Sequence, residues 1–156
     1  MANNFALTDE AKRECAAALS KVLSDTFVLY LKTHNFHWNV EGPQFRGLHE
    51  MFEEQYRNLW DSIDDIAERI RALGQLAPGT TRKFRELAEI KENDQIPAAI
   101  EMLRELVNDN ETATRTIRAA LSTTQAAGDE ATAGLLADRL IYHEKQLWMM
   151  KSMMVS

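Results

Sequence analysis

Histidine and acidic residues are concentrated in one segment of the sequence, between Thr33 and Ile70, which contains three of the four histidines. Imidazole and carboxylate groups together form the ligand set of iron, manganese and zinc sites. Four of these side chains share one predicted helix face, since at about 100° per residue they fall within an arc of roughly 100°. Each one alone is more typical of an exposed or structural side chain, but together they indicate a metal site. They are His49, Glu53, Asp64 and Glu68.

Distances along this helix divide the four residues into two pairs. His49 and Glu53 are one turn apart, as are Asp64 and Glu68. Glu53 and Asp64, however, are separated by about 16 Å along the helix axis. Because metal–ligand bonds are only about 2 Å long, one metal cannot bind both pairs of the same helix. Either the pairs are unrelated, or a second chain completes each one, as in antiparallel packing about a two-fold axis with two identical sites.

Four long helices and one short helix are predicted to position these residues. Thr8 can cap the first helix, and its apolar residues recur at helical spacing. A short turn containing Gly42 and Pro43 follows, so that His37 at the end of the first helix is expected to fold back near His49. Gly128 separates the last two helices. The predicted long helices cover residues 8–37, 44–73, 97–127 and 129–153, and the short helix covers 83–90.

The lengths of the connections predict the topology. The first link is about six residues and the last about two, which is typical of antiparallel helix hairpins. A 30-residue helix is about 45 Å long, and the middle link of about 22 residues can span that distance at about 3.3 Å per residue. The sequence therefore predicts an all-α protein with the ferritin-like form of four-helix bundle, in which one long crossover contains the short helix.

Composition narrows the class of protein. The 156 residues are expected to form one domain, 1–156. A net charge of −6 disfavours a general nucleic-acid binder and suits a protein that gathers cations. The sequence has no apolar run long enough for a membrane span. Its single cysteine, Cys15, excludes an internal disulfide and is expected to be structural. Without a secretory signal pattern at the start, a cytoplasmic location is expected.

Two stretches carry a resemblance to a known family. The motifs "HNFHWNVEGPQFRGLHEMFEEQY" and "DSIDDIAERI" resemble the signature of the Dps family, the miniferritins also called DNA-binding proteins from starved cells. The family pattern is HW, a glycine four residues after that tryptophan, phenylalanine, LHE and finally DxxAER. The later "AGDEATAGLLADRL" and "HEKQLWMM" resemble the last helix of the family, so that the similarity extends over essentially the whole chain.

The resemblance implies a function and a set of ligands. Twelve ferritin-like subunits would form a hollow homo-oligomer that oxidises Fe²⁺ with hydrogen peroxide, a ferroxidase activity, and stores the Fe³⁺ product as mineral, protecting against oxidative damage. Each di-iron site would lie across a two-fold interface. Many family members have aspartate at the position of Glu53, a departure that keeps the ligand type. By resemblance, His37, His49 and Glu53 would come from one chain and Asp64 and Glu68 from its mate.

Other residues have weaker links to this chemistry. Trp38 follows His37, and by resemblance it would supply electrons near the iron, although a packing role is an equal alternative. His34 is expected beside the site or at the surface, and His143 is expected to be structural. Asp129 is expected to cap a helix, whereas Asp138 would line an iron entry pore by resemblance. The methionines at 149, 150, 153 and 154 are expected in the core or an interface.

The alternative function is that of a nucleoid protein that coats DNA, with incidental iron binding. The one short basic cluster, at residues 81–85, supplies three cations, and the start of the chain has no lysine run. Because affinity for DNA depends largely on contacts between lysine or arginine and phosphate, binding to DNA is expected to be weak or absent.

Overall fold

The computed structural model describes residues 6–155, and the regular secondary structure within that range is entirely helical. α1 pairs with α2 and α4 pairs with α5, while α1 also packs against α4 and α3 lies against α1. The predicted four-helix bundle with one long crossover is confirmed. No helix in the described range has the length and apolar character that a membrane span requires. The helices are α1 (Asp9–Asn39), α2 (Phe45–Ala72), α3 (Thr81–Leu87), α4 (Ala99–Ala127) and α5 (Glu130–Met153).

Apolar side chains from the long helices fill the interior in two groups along the bundle. Phe36 and Phe52 are fully buried in one group, and Leu19 and Ile66 are fully buried in the other. Burying one such side chain contributes about 1.5–3 kcal/mol to stability. Cys15 is also completely buried, as expected of a structural thiol, and burial raises its pKa.

The helix ends follow from local chemistry. Thr8 Oγ1 accepts the backbone N–H of Ala11 at 3.0 Å, and Asp129 Oδ1 accepts that of Thr132 at 3.1 Å. Both predicted N-caps are therefore confirmed, and each satisfies a backbone donor that the helix leaves unpaired. Gly128 lies between α4 and α5 in the left-handed region with φ 76°, where a residue without a Cβ atom is favoured.

The crossover differs in detail from the prediction. α3 begins after the Thr80 cap, two residues earlier than predicted, and ends at Leu87 instead of Ile90. The short helix stops because the N–H groups of Glu89 and Ile90 donate to the carboxylate of Asp25 in α1, at 2.7 and 3.0 Å, instead of to helix carbonyls. α4 begins at residue 99, two residues later than predicted.

Asp25 holds three parts of the chain together. Besides the two crossover N–H groups, its other carboxylate oxygen accepts the hydroxyl of Thr116 in α4 at 2.6 Å. The side chain is buried, and burial raises its pKa although all three hydrogen bonds oppose the shift. The term "crossover clip" denotes this contact of Asp25 with Glu89, Ile90 and Thr116.

Candidate metal centre

His37 and His49 hold each other in place at the junction of α1 and α2. Nδ1 of His37 lies 2.7 Å from the backbone oxygen of His49, and Nδ1 of His49 lies 2.7 Å from the backbone oxygen of His37. A carbonyl oxygen can only accept a hydrogen bond, so each Nδ1 must carry the proton. The rings stack with centroids 3.8 Å apart and an interplanar angle of 15°.

This arrangement determines which nitrogen is available to a metal. In a neutral imidazole one nitrogen is protonated and the other has a free lone pair. With Nδ1 protonated in both rings, the lone pairs of His37 and His49 are at Nε2. Metal-binding histidines in proteins commonly use their second N–H in the same way, to fix the tautomer and the ring orientation. The backbone oxygens at the α1–α2 junction therefore leave two imidazole nitrogens available as candidate ligands.

Glu53 lies one turn further along α2. Its Oε1 is 3.9 Å from Nε2 of His37, and its Oε2 is 3.3 Å from Nε of Arg57. The carboxylate is partly exposed, so it can reorient toward a cation without losing a buried ion pair. His37, His49 and Glu53 thus form a first group of candidate ligands, at the end of α2 where the chain enters from α1.

Asp64 and Glu68 form a second group on α2. Both are exposed and lie one helical turn apart. A side-chain hydrogen bond with Asp64, followed by the charge of Asp64, raises the pKa of Glu68. Two carboxylates in this position share a proton or repel each other, and a cation bound between them would stabilise the ionised form of both. Their chemistry fits a divalent metal ion.

The two groups remain apart within one subunit. In the range 6–155, no three histidine, cysteine, aspartate or glutamate side chains converge closely enough to hold a metal ion. The structure brings the first group together around its two stacked rings and the second group together through Asp64 and Glu68, but it does not join the groups. The axial separation of about 16 Å means that one metal ion cannot bind both groups of the same α2.

An aromatic cluster that the sequence analysis did not identify lies beside the first group. The ring of His34 stacks on Tyr56 with centroids 3.7 Å apart, and it contacts the ring of Trp38 at 4.0 Å with an interplanar angle of 31°. Tyr30 lies 5.1 Å from Trp60 and 6.3 Å from Tyr56. Burial, followed by the charge of His37, lowers the pKa of His34. We call Tyr30, His34, Trp38, Tyr56 and Trp60 the aromatic cluster.

A signal for this cluster was present in the sequence. Tyr30, His34 and Trp38 follow one another at intervals of four residues on α1, and Tyr56 and Trp60 do so on α2. Residues at this spacing occupy one helix face, so two aromatic faces were predictable. Their contact across the helix pair was not, because it depends on the rotation of α1 and α2 about their axes. Trp38 is 59% exposed, so it lies outside the buried core of the subunit.

The basic cluster on α3 is largely paired. Arg82 NH1 lies 2.9 Å from Glu86 Oε1, and Arg85 Nε lies 3.6 Å from Glu92 Oε1. These carboxylates reduce the positive potential that a phosphate backbone would meet.

Comparisons with known proteins agree with this fold and ligand chemistry. A ferritin-like domain model matches residues 16–155. A low temperature-induced protein from Nostoc sp. is 39% identical over 154 residues, 96% of this chain and 84% of that protein. A DNA protection during starvation protein from Brevibacillus brevis is 39% identical over 137 residues, 88% of this chain and 92% of that protein. The crystal structure of a Dps protein from Vibrio cholerae O1, described as a member of a superfamily of ferritin-like diiron-carboxylate proteins, matches with a TM-score of 0.93 and 31% identity over 99% of this chain and 98% of that chain.

Proposed function

Because the chain belongs to the Dps proteins of the ferritin-like family, we propose that it is a ferroxidase. It oxidises Fe²⁺ with hydrogen peroxide at sites shared by two subunits, and it stores the ferric product inside a shell of twelve subunits. Membership of the family supports the general role, which is iron storage and protection against stress. The oxidant and the twelve-subunit shell are proposed from the resemblance of the HW, LHE and DxxAER motifs to those of the family.

The observation that carries the proposal is the pair of reciprocal hydrogen bonds between His37 and His49. These bonds protonate Nδ1 in both rings and leave both Nε2 lone pairs available, and Nε2 of His37 lies 3.9 Å from the Glu53 carboxylate. Asp64 and Glu68 of a second copy supply the remaining carboxylates. Histidine nitrogen together with carboxylate oxygen suits iron in both oxidation states.

The reduction of one hydrogen peroxide molecule is balanced in electrons when two Fe²⁺ ions are the substrates. Each Fe²⁺ gives up one electron, the O–O bond of the peroxide accepts the two electrons, and two protons complete two molecules of water. The protein supplies the ligands and holds the two ions near one another, and the redox chemistry belongs to iron. Trp38, next to His37 in sequence and in ring contact with His34 at 4.0 Å, is proposed as an auxiliary electron donor to this reaction.

A matched pair of substitutions tests the proposal. Glu53→Gln removes one carboxylate ligand, whereas Glu50→Gln makes the same chemical change on α2 at a residue paired with Arg46 in solvent. The rate of Fe²⁺ oxidation by peroxide should fall by about tenfold or more in Glu53→Gln, since even the loss of a residue that supports a ligand costs 10–100-fold. Glu50→Gln should match the wild type. Equal rates in the two variants would exclude Glu53 from the site, and a wild type inert to Fe²⁺ would exclude ferroxidase activity.

The DNA-coating alternative has less support. Twelve copies would carry a charge of about −72, twelve times the net charge of −6, and the α3 arginines already lie near glutamates. Because binding to duplex DNA rests largely on cation–phosphate contacts, we propose that this protein binds DNA weakly or not at all at physiological salt.

A further inference from the structure

The two carboxylate oxygens of Glu53 have different neighbours. Oε1 lies 3.9 Å from Nε2 of His37, the nitrogen that keeps its lone pair. Oε2 accepts a hydrogen bond from Nε of Arg57 at 3.3 Å, one helical turn further along α2. Because metal–ligand bonds are about 2 Å long, one ion can contact both Oε1 and Nε2. The carboxylate therefore has one oxygen that faces a candidate ligand and one that is bound to Arg57.

A tyrosine ring restricts the position of the Arg57 guanidinium. The central carbon of the guanidinium lies 5.3 Å from the centroid of the Tyr56 ring, which is within the range of a cation–π interaction. The same ring lies 5.1 Å from the ring of His37. Tyr56 therefore contacts both a candidate metal ligand and the arginine that is bound to Glu53.

Glu53 needs a restraint of this kind, because packing does not fix its side chain. The Glu53 side chain is 43% exposed, and a glutamate loses more rotamer freedom on being fixed than most residues do. A donor that holds Oε2 before a metal ion arrives removes part of that entropic cost. Carboxylates that bind metals are commonly hydrogen-bonded by a second group in this way.

We propose that Arg57 is a positioning residue, which holds Glu53 so that Oε1 faces Nε2 of His37 and receives the metal ion. This inference rests on the proposed function, because it takes Glu53 as a ligand of Fe²⁺. Arg57 also repels a nearby cation, so that two effects of opposite sign act on metal affinity. The positioning effect is the larger one, since the Arg57 side chain is 65% exposed and both water and salt weaken the repulsion.

Binding of Co²⁺ to the iron-free protein tests the sign of the net effect. Co²⁺ accepts imidazole and carboxylate ligands as Fe²⁺ does, and without an added oxidant no redox step follows. Arg57→Met removes both the donor and the charge. It should weaken Co²⁺ binding by about threefold to tenfold, at or below the lower end of the 10–100-fold range for groups that support a ligand. Binding that is unchanged or tighter in Arg57→Met would overturn the proposal, because a cation that only repels would give that result.

A conservative variant and a matched control accompany this measurement. Arg57→Lys keeps a charged N–H donor, so it should bind Co²⁺ more tightly than Arg57→Met, whereas repulsion alone predicts the reverse order. Arg82→Met makes the same change in another exposed ion pair, that of Arg82 with Glu86 on α3, and it should match the wild type. Circular dichroism and light scattering check that every variant is folded and assembled like the wild type. An equal loss of affinity in Arg82→Met and Arg57→Met would contradict a specific role of Arg57.

A double-mutant cycle with Glu53→Asp separates this inference from the proposed function. Aspartate has one rotatable bond fewer than glutamate, so its carboxylate depends less on a restraint. Arg57→Met should therefore weaken Co²⁺ binding less in the Glu53→Asp background than in the wild type, and equal losses in both backgrounds would show that Arg57 does not act through Glu53. If Glu53→Gln weakens Co²⁺ binding but Arg57→Met does not, the inference alone fails. If the wild type binds no Co²⁺, the proposed metal centre fails and the inference fails with it.

Discussion

The histidines of this protein differ in the hydrogen-bond partners and the burial of their two ring nitrogens. In His37 and His49, Nδ1 donates to a backbone oxygen and Nε2 keeps its lone pair. In His143, Nδ1 donates to Oδ1 of Asn110 at 2.8 Å, and the Asn110 amide in turn donates to a backbone oxygen of α4. Nε2 of His143 has no partner within residues 6–155. The residue is completely buried, so it is structural, as expected.

His143 should make stability depend on pH. Burial, followed by the charge of Arg139, lowers its pKa from 6.5 to about 3. Below pH 6.5 the unfolded chain binds a proton that the folded chain excludes, so this contribution to stability is fully present above pH 6.5 and is lost as the pH falls toward 3. In His143→Gln, which keeps a hydrogen-bonding amide but does not titrate, the free energy of unfolding from urea titrations should fall less steeply over this range. An identical slope in both proteins would show that His143 is protonated in the folded state.

At the scale of single residues, the sequence predicted which side chains are candidate ligands, but it did not predict the hydrogen bonds and ring contacts that surround them. Four candidate ligands could be identified from the sequence because one helix face holds them all: His49, Glu53, Asp64 and Glu68. The reciprocal bonds of His37 and His49 were not predictable, since they join side chains to backbone atoms across a turn. The aromatic cluster was missed for a related reason, because its contacts join two helices.

At the scale of helices, the positions of the ends were set mainly by local residues. Thr8, Gly128 and Asp129 act as predicted, because a capping side chain or a left-handed glycine needs only its neighbours in sequence. The end of α3 was predicted wrongly, since the N–H groups of Glu89 and Ile90 bond to a carboxylate 64 and 65 residues away. Competition from distant parts of the chain cannot be read from a local pattern.

Two glycines test whether local backbone conformation sets the stability of the helix ends. An added Cβ atom would meet no other atom within 4 Å at Gly128 or at Gly134, so that only backbone conformation distinguishes them. Gly128→Ala should destabilise the protein by about 1–2 kcal/mol, the cost of a left-handed conformation. Gly134→Ala, inside α5, should stabilise it by about 0.5–1 kcal/mol through higher helix propensity. Urea unfolding at one fixed protein concentration measures both, and equal effects of the two changes would refute the conformational argument.

At the scale of the whole molecule, the division of the ligands into two groups is the main consequence of the fold. The single helix α2 carries both groups on one face, too far apart to share an ion. The length of the helix was predictable from its apolar period, and with it the conclusion that one ion cannot bind both groups of a single chain. The surface on which a second subunit would dock was not predictable, because interface geometry depends on several helices at once.

Subunit mixing tests the shared site. His49→Ala and Asp64→Ala each remove one ligand, from opposite groups on α2, so each variant alone should be inactive. A mixed dimer would have one site that lacks both ligands and one that is intact. Random pairing makes about half of the dimers mixed, so co-refolding should restore about a quarter of the wild-type rate of Fe²⁺ oxidation, given two sites per isologous dimer.

Mass spectrometry of the co-refolded sample serves as the control, because it shows whether both variants are present in one assembly. Light scattering should also give a mass of about 214 kDa, twelve times the 17.8 kDa of one chain. Mixed assemblies without any recovery of activity would mean that the two groups do not meet across the interface.

The crossover clip has a consequence for the order of events during folding. Its donors are 64, 65 and 91 residues from Asp25 in sequence, so that two large loops must close before all of them reach the carboxylate. A chain that buries Asp25 before the crossover and α4 arrive would lack these partners, and each missing one costs about 1–3 kcal/mol. A crossover that runs along the wrong side of the bundle carries the same penalty. One carboxylate thereby disfavours folded chains in which the crossover is incomplete or follows the wrong path.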